Sequence, residues 1–296
     1  MRIKIDENFD FALIDDITLK LSQPFELREC YIPPSLPSMQ LKAAWMSLDY
    51  DTPMNPRIIG KPGVGKTSLA LHVSKELELF AYILQCTSDL SPDDLLITPV
   101  LNEKKEIRYH ASPLLTAMLL GGTCILDEGN RMSEKTWASI APLLDHRRYV
   151  DSAIISKRIF AHKNFRFATT MNEDTSVYEL PEYIQSRLCP QIILDNLTPQ
   201  DQVNIVRETY PAVKKDIIEI LFSFLTILQS SDELCSIRDS LQIVRFAQRL
   251  ASDTKDLEIS QCFKMGVKAV LGEDFEKNLN ISLSKDNLEH EHLRPV

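Results

Sequence analysis

The sequence predicts an α/β protein in which a doubly wound, parallel, five-stranded sheet is followed by a small all-helical domain. Three observations lead there. Five short apolar runs alternate with helical patterns, a glycine-rich loop joins the first run to the first helix, and the pattern past Leu194 is wholly helical. Strands that alternate with helices are joined by crossovers, and crossovers place neighbouring strands parallel with helices on both faces.

The runs are residues 57–59, 81–85, 123–126, 165–169 and 191–194. Each has the length and composition of a strand buried on both faces. After the first run, Leu69, Ala70, Val73 and Leu77 recur at helical spacing and lay one apolar face against a sheet. Thr198, Pro199, Gln200 and Asp201 read as a capping box with proline at the first helical position. Ile217, Ile218, Leu221, Phe224, Leu225 and Leu228 then form one stripe, and 241–250 and 259–271 are amphipathic, so a helical bundle is expected.

These boundaries divide the chain into an N-terminal extension (1–36), the α/β domain (37–196), the helical domain (197–272) and a polar C-terminal tail (273–296). Pro33, Pro34 and Pro37 punctuate the first junction, before Leu41, Ala44, Trp45 and Leu48 suggest a short helix. Between the second and third runs, Asn102 to Glu106 is a polar turn flanked by apolar residues, which reads as a hairpin.

Composition narrows the function classes. With 44% apolar and 25% charged residues the chain falls in the globular range. A net charge of -9 counts against direct nucleic-acid binding, because affinity for a phosphate backbone comes from Lys and Arg. No stretch approaches the roughly 18 apolar residues of a membrane helix. Acids at Asp6 and Glu7 stand where a signal peptide is apolar, which reads as cytoplasmic. Six cysteines are scattered singly, without metal-ligand spacing, and read as small buried side chains.

Chemistry concentrates in one loop. Gly60, Lys61, Pro62, Gly63, Val64, Gly65, Lys66 and Thr67, with Ser68 behind them, follow a strand and open a helix. That is the context a G-x-x-x-x-G-K-[ST] phosphate loop requires. Its glycines let successive N–H groups turn toward phosphate oxygens, Lys66 reaches the terminal phosphates, and Thr67 is placed to ligate Mg²⁺. Three of the chain's eight glycines stand in this loop, and a purely structural turn has no need of Lys then Thr at its exit.

About sixty residues on, Asp127 and Glu128 end the third strand, at the sheet edge where ligands bind. Two adjacent carboxylates there are costly without work to do. Asp127 is expected to hold Mg²⁺ and Glu128 to orient and deprotonate the attacking water.

Over most of residues 40–272 the ordered motifs resemble the AAA+ superfamily and, within it, the MoxR-like group. Besides the phosphate loop and the Asp127–Glu128 pair, the resemblance is carried by residues 85–95, by Gly129-Asn130-Arg131, by Thr169-Thr170-Met171-Asn172 and by residues 180–187. It implies a sensor-1 role for Asn172, an arginine finger at Arg187 acting on a neighbouring subunit, and a sensor-2 role for Arg238 in Ser236-Ile237-Arg238-Asp239. Ile97 departs from the glycine usual in the family. The group's hairpin insert would correspond to 100–109, with Tyr109 or Leu101 available to a threaded partner.

The implied function is an ATP-hydrolysing, Mg²⁺-dependent, homo-oligomeric ring, typically a hexamer, that remodels or activates a protein partner such as a von Willebrand factor A domain protein. The runner-up is the motor subunit of a nucleic-acid-acting defence complex similar to the McrB group, against which acidity and residues 171–174 both count. A nucleotide-dependent scaffold without turnover is the third reading, and intact Lys66, Asp127, Glu128 and Arg187 argue against it.

Overall fold

The computed structural model describes residues 2–26, 33–48, 51–101, 103–173, 180–231, 233–254 and 257–275. The expected tail from 276 onward, and Cys30, lie outside them. Two compact units make up the chain. The first holds the described residues up to Lys61 and those of Lys66–Leu194; the second holds Pro62–Gly65 and the described residues from Asp195 onward.

The first unit opens with three short strands, β1 (Ile3–Ile5), β2 (Phe11–Ile14) and β3 (Ile17–Lys20), and a helix, α1 (Ser35–Trp45). β4 (Arg57–Gly60), α2 (Lys66–Glu76) and β5 (Ala81–Gln85) follow. A hairpin, β6 (Ile97–Leu101) and β7 (Ile107–Ala111), precedes α3 (Pro113–Leu120) and β8 (Thr123–Asp127). A 3-10 turn (Gly129–Arg131) and α4 (Glu134–Ile140) lead to a second hairpin, β9 (Tyr149–Ser152) with β10 (Lys157–Phe160). β11 (Arg166–Asn172), a short α5 (Glu182–Gln185) and β12 (Gln191–Ile193) complete the unit.

The five apolar runs form the central sheet, in the order β12-β4-β11-β8-β5 with every pairing parallel. Its central strands β8 and β11 are buried on both faces, as a sheet covered by helices requires, and Ile58, Cys124, Ile125, Leu126, Phe167 and Ala168 are fully buried; the edge strand β12 departs from the expected two-sided burial, with Gln191 and Ile193 exposed. Register decides where the site falls. Asn172 stands opposite Gly60, and Thr169 opposite Leu126, so the ends of β4, β8 and β11 reach one edge together.

Buried polar groups lock this arrangement. The Ser74 hydroxyl on α2 donates to Thr123 Oγ1 of β8 at 2.7 Å. Arg166, nearly buried at the start of β11, donates to Trp45 O at 2.6 Å and to Ser47 Oγ at 2.7 Å, while Trp45 Nε1 returns a bond to Phe167 O at 2.9 Å. A buried guanidinium persists only when its donors are satisfied.

Residues 3–20, an extension by sequence, supply three strands of a second sheet ordered β1-β2-β3-β7-β6. β3 runs parallel to β7, with Leu19 opposite Tyr109, and Ala12, Ile14 and Leu19 are fully buried in the same core as the central sheet's side chains. The hairpin expected between the second and third runs is present as β6 and β7. Tyr109 is half-buried and packs on that core, whereas Leu101 is 68% exposed, so of the two residues considered for a threaded partner it is Leu101 that faces solvent.

The second unit contains α6 (Pro199–Thr209), α7 (Lys215–Ser230), α8 (Ile237–Asp253) and α9 (Ile259–Leu271). The expected stripe from Ile217 to Leu228 is buried, and Phe224 meets Phe263 edge to face at 6.0 Å. The Thr198 side chain caps α6 by accepting from Asp201 N. At α8 the Ser236 hydroxyl accepts from Asp239 N while the Asp239 carboxylate accepts from Ser236 N, a complete capping box. Ser236→Ala is expected to cost about 1 kcal/mol, read as a lower denaturation midpoint in urea with an unchanged slope.

Candidate nucleotide site

Gly63 and Gly65 both have positive φ, at 81° and 97°, a conformation other residues rarely adopt. The chain turns on them, and α2 then begins at Lys66. Lys66 is 7% exposed. Its ammonium donates at 2.8 Å to Gly60 O, to Lys61 O and to Asn172 Oδ1, three neutral acceptors that hold the charge at the sheet edge.

Next to it, Thr67 Oγ1 lies 2.6 Å from Asp127 Oδ1. The same oxygen accepts from Thr170 Oγ1 at 2.6 Å, and the Thr170 oxygen in turn accepts from the amide of Glu128 at 3.1 Å. Glu128 takes the left-handed conformation, φ 56° and ψ 44°, which breaks strand alternation at the end of β8. Its carboxylate accepts from Gln85 Nε2 at 3.0 Å and Asn172 Nδ2 at 3.3 Å, and pairs with Arg131 Nε at 2.9 Å.

The turn behind Glu128 has no space to spare. A Cβ on Gly129 would lie 2.1 Å from Thr169 Oγ1 and 3.1 Å from the Trp137 ring, whose Nε1 bonds to Gly129 O. Asn130, almost buried, donates to Asn172 O at 3.2 Å. Gly129→Ala is expected to destabilise the first unit by about 1–3 kcal/mol through overpacking, measured as a loss of thermal midpoint.

Lys66, Thr67, Asp127, Glu128 and Asn172 therefore come together, with Gly60 and Lys61 contributing carbonyls to Lys66. Val64 is buried and Ser68 half-buried, while Lys61 and Pro62 are exposed. Arg187 stands apart from the cluster. Its partners are Asp145, at 3.4 Å from Nε, and the carbonyl of Tyr183. Arg147, and after it Arg187, hold the Asp145 carboxyl well below the usual carboxylate range. A carboxyl depressed in the folded state stabilises fully above its unfolded pKa of about 4 and loses that contribution only as pH falls toward its folded value. The pair with Arg187 thus persists well into acid.

Arg238 is exposed in the second unit, just behind the Ser236 cap. Pro62–Gly65 belong to that unit, and a Cβ on Gly63 would come 3.3 Å from Arg238 Cβ. The sequence placed Thr170, Gln85 and Arg131 in motif stretches but gave none of them a role at the carboxylates. Thr170 had a signal, since alternation in a strand puts it on the face of Asn172; Gln85 had a weaker one, as a polar end to an apolar run.

A phosphate loop, a hydroxyl on a strand-end aspartate and a second carboxylate beside it are the parts of a nucleoside triphosphate site. Residues 57–188 match the family model described as the AAA domain of the dynein-related subfamily. Over that stretch the chain is similar to the AAA domain of that subfamily. Among curated relatives, the protein CbbQ of Hydrogenophilus thermoluteolus is 29% identical over 113 residues, covering 38% of this chain and 42% of the relative. The denitrification regulatory protein NirQ of Pseudomonas aeruginosa is 28% identical over 159 residues, covering 53% of this chain and 55% of the relative. The chain thus spans about half the length of these two relatives.

Among solved structures, the RuvB Holliday junction branch migration motor of Thermotoga maritima superposes with a TM-score of 0.54 at 15% identity, covering 81% of this chain and 69% of that one. At that identity the likeness concerns fold, and the AAA+ arrangement of a five-stranded parallel sheet followed by helices is common to both. No helix among the described residues is long and apolar enough to cross a membrane.

Proposed function

We propose that this chain binds ATP with Mg²⁺ and hydrolyses it to ADP and phosphate, within a homo-oligomeric ring of the MoxR-like kind. The observation that carries the reading is the convergence of Lys66, Thr67, Asp127, Glu128 and Asn172 on the aligned ends of β4, β8 and β11. Lys66 would exchange its neutral acceptors for terminal phosphate oxygens, forming charge-assisted bonds that outweigh those given up. Thr67 and Asp127 would hold magnesium, which when bound neutralises charge on the phosphates. Glu128 would take the proton of the attacking water, and Asn172, already bonded to Lys66 and Glu128, would place that water.

Arg187 would act across the subunit boundary, which makes hydrolysis depend on assembly. A finger supplied in trans is worth about 10³–10⁵ in rate. Arg238 would carry nucleotide state to the helical unit. A hexamer is the proposed ring, the cytoplasm its compartment, and a protein its substrate, in keeping with the regulatory role that NirQ's name states and with the net charge of -9. A von Willebrand factor A domain protein is the partner class proposed.

Phosphate release measured against protein concentration, with mass followed by light scattering, tests the core of this reading. Turnover should rise with assembly, and assembled rings without any turnover would remove the ATPase. Arg187→Ala is expected to keep wild-type nucleotide affinity and lose at least about 100-fold in turnover. Full hydrolysis by an isolated monomer would refute the trans role.

A further inference from the structure

The bond set around Thr170 describes a role that the motifs do not. The side chain is 1% exposed and sits in β11 between Thr169, whose register partner in β8 is Leu126, and the strand end at Asn172. Its hydroxyl has one proton and two lone pairs. The proton goes to Asp127 Oδ1 at 2.6 Å, and a lone pair takes the Glu128 amide at 3.1 Å. One oxygen therefore binds the carboxylate of one acid and the main chain of the next.

Two consequences follow from this bridge. With Thr67 and Thr170 both donating to Oδ1, the Asp127 carboxylate has a defined rotation about its own axis, and Oδ2 accepts from neither of them. The amide bond, for its part, ties Glu128 in the left-handed conformation from which its carboxylate reaches Gln85, Asn172 and Arg131. Without the hydroxyl, Asp127 keeps a single threonine donor and the part-buried Glu128 amide loses its Thr170 acceptor.

We propose that Thr170 is a positioning residue that sets the orientation of Asp127 toward a nucleotide-bound divalent cation and holds Glu128 in its turn. This rests on the nucleotide reading above. It predicts coupling to metal instead of a general loss of nucleotide: the phosphate loop and Lys66 have other contacts, while the carboxylate that faces the cation is the group Thr170 aims.

The test uses the full chain and a fluorescent ATP analogue, titrated with and without magnesium. Wild type should bind more tightly with magnesium than in excess EDTA. Thr170→Val, nearly isosteric and without the hydroxyl, should bind within about twofold of wild type in EDTA and lose most of the tightening, about tenfold. Thr170→Ser restores the hydroxyl and should recover it. If valine unfolds the protein, Thr170→Ala is read in the same way. Undiminished magnesium tightening in the valine or alanine variant overturns the proposal, and so does equal loss in the serine variant, which would assign the effect to methyl packing. A wild type that binds no nucleotide at all sinks the ATP reading itself, a result distinct from either.

Discussion

Lys66→Ala is expected to lower ATP affinity by at least about 100-fold, because a charge-assisted contact to phosphate disappears and nothing nearby replaces it at the same point. The ammonium sits 7% exposed at the junction of the loop, α2 and the end of β11, where three acceptors at 2.8 Å define its position. Removing it also leaves Gly60 O, Lys61 O and Asn172 Oδ1 without that donor, so the loop loses an internal tie as well as a ligand contact. Equilibrium titration with a fluorescent ATP analogue reads the effect. Affinity within threefold of wild type would contradict the assignment of this loop to phosphate.

Glu128→Gln is the complementary case, with ATP affinity expected within a few-fold of wild type and turnover lower by about 10²–10⁴. Glutamine has the same shape, so the neighbours at Gln85, Asn172 and Arg131 can still meet an amide oxygen or nitrogen. What it cannot do is accept the proton of water. Loss confined to the transition state lowers kcat while leaving binding intact, in contrast to Lys66→Ala, which removes ground-state binding. The ATP-bound ring should then accumulate, visible as radiolabel co-eluting with the assembled species. Equal ATP affinity in both variants and wild type would contradict this division of roles.

The parts legible in the sequence are those whose signal is local. Apolar runs at 57–59, 81–85 and 123–126 lie in β4, β5 and β8, because a strand covered by helices is apolar at nearly every position, while the run at 191–194 marks the edge strand β12, where Ile192 is buried and Ile193 is exposed. The run at 165–169 marks β11, but the strand continues through Thr170 and Met171 to Asn172, as polar threonines in a buried strand hide its extent. The α/β class followed from the order of strand and helix patterns, and the AAA+ resemblance from the ordered motifs. The loop and the acid pair were readable as motifs, since glycine spacing and adjacent carboxylates report local chemistry.

What escaped depends on distant partners. Ser74 with Thr123, and Thr170 with Asp127, join residues more than forty positions apart, and no periodicity encodes such pairs. The strands β1 to β3 have three or four residues each, too few for alternation to stand out, and β3 finds its partner in β7 some ninety residues later. Arg131 was legible as a motif position but not as a partner of Glu128. Its return to that carboxylate follows from the left-handed turn at Glu128, a conformation that the residue type does not announce.

That ninety-residue partnership bears on how the protein can be handled. A fragment begun near residue 37, cut to isolate the catalytic half, would strip β3 from β7 and leave the main-chain donors and acceptors of a strand facing water, beside the apolar surface that Ala12, Ile14 and Leu19 had covered. Bare ladders of that kind recruit other chains, so the shortened protein should precipitate or form mixed aggregates while the intact one stays dispersed.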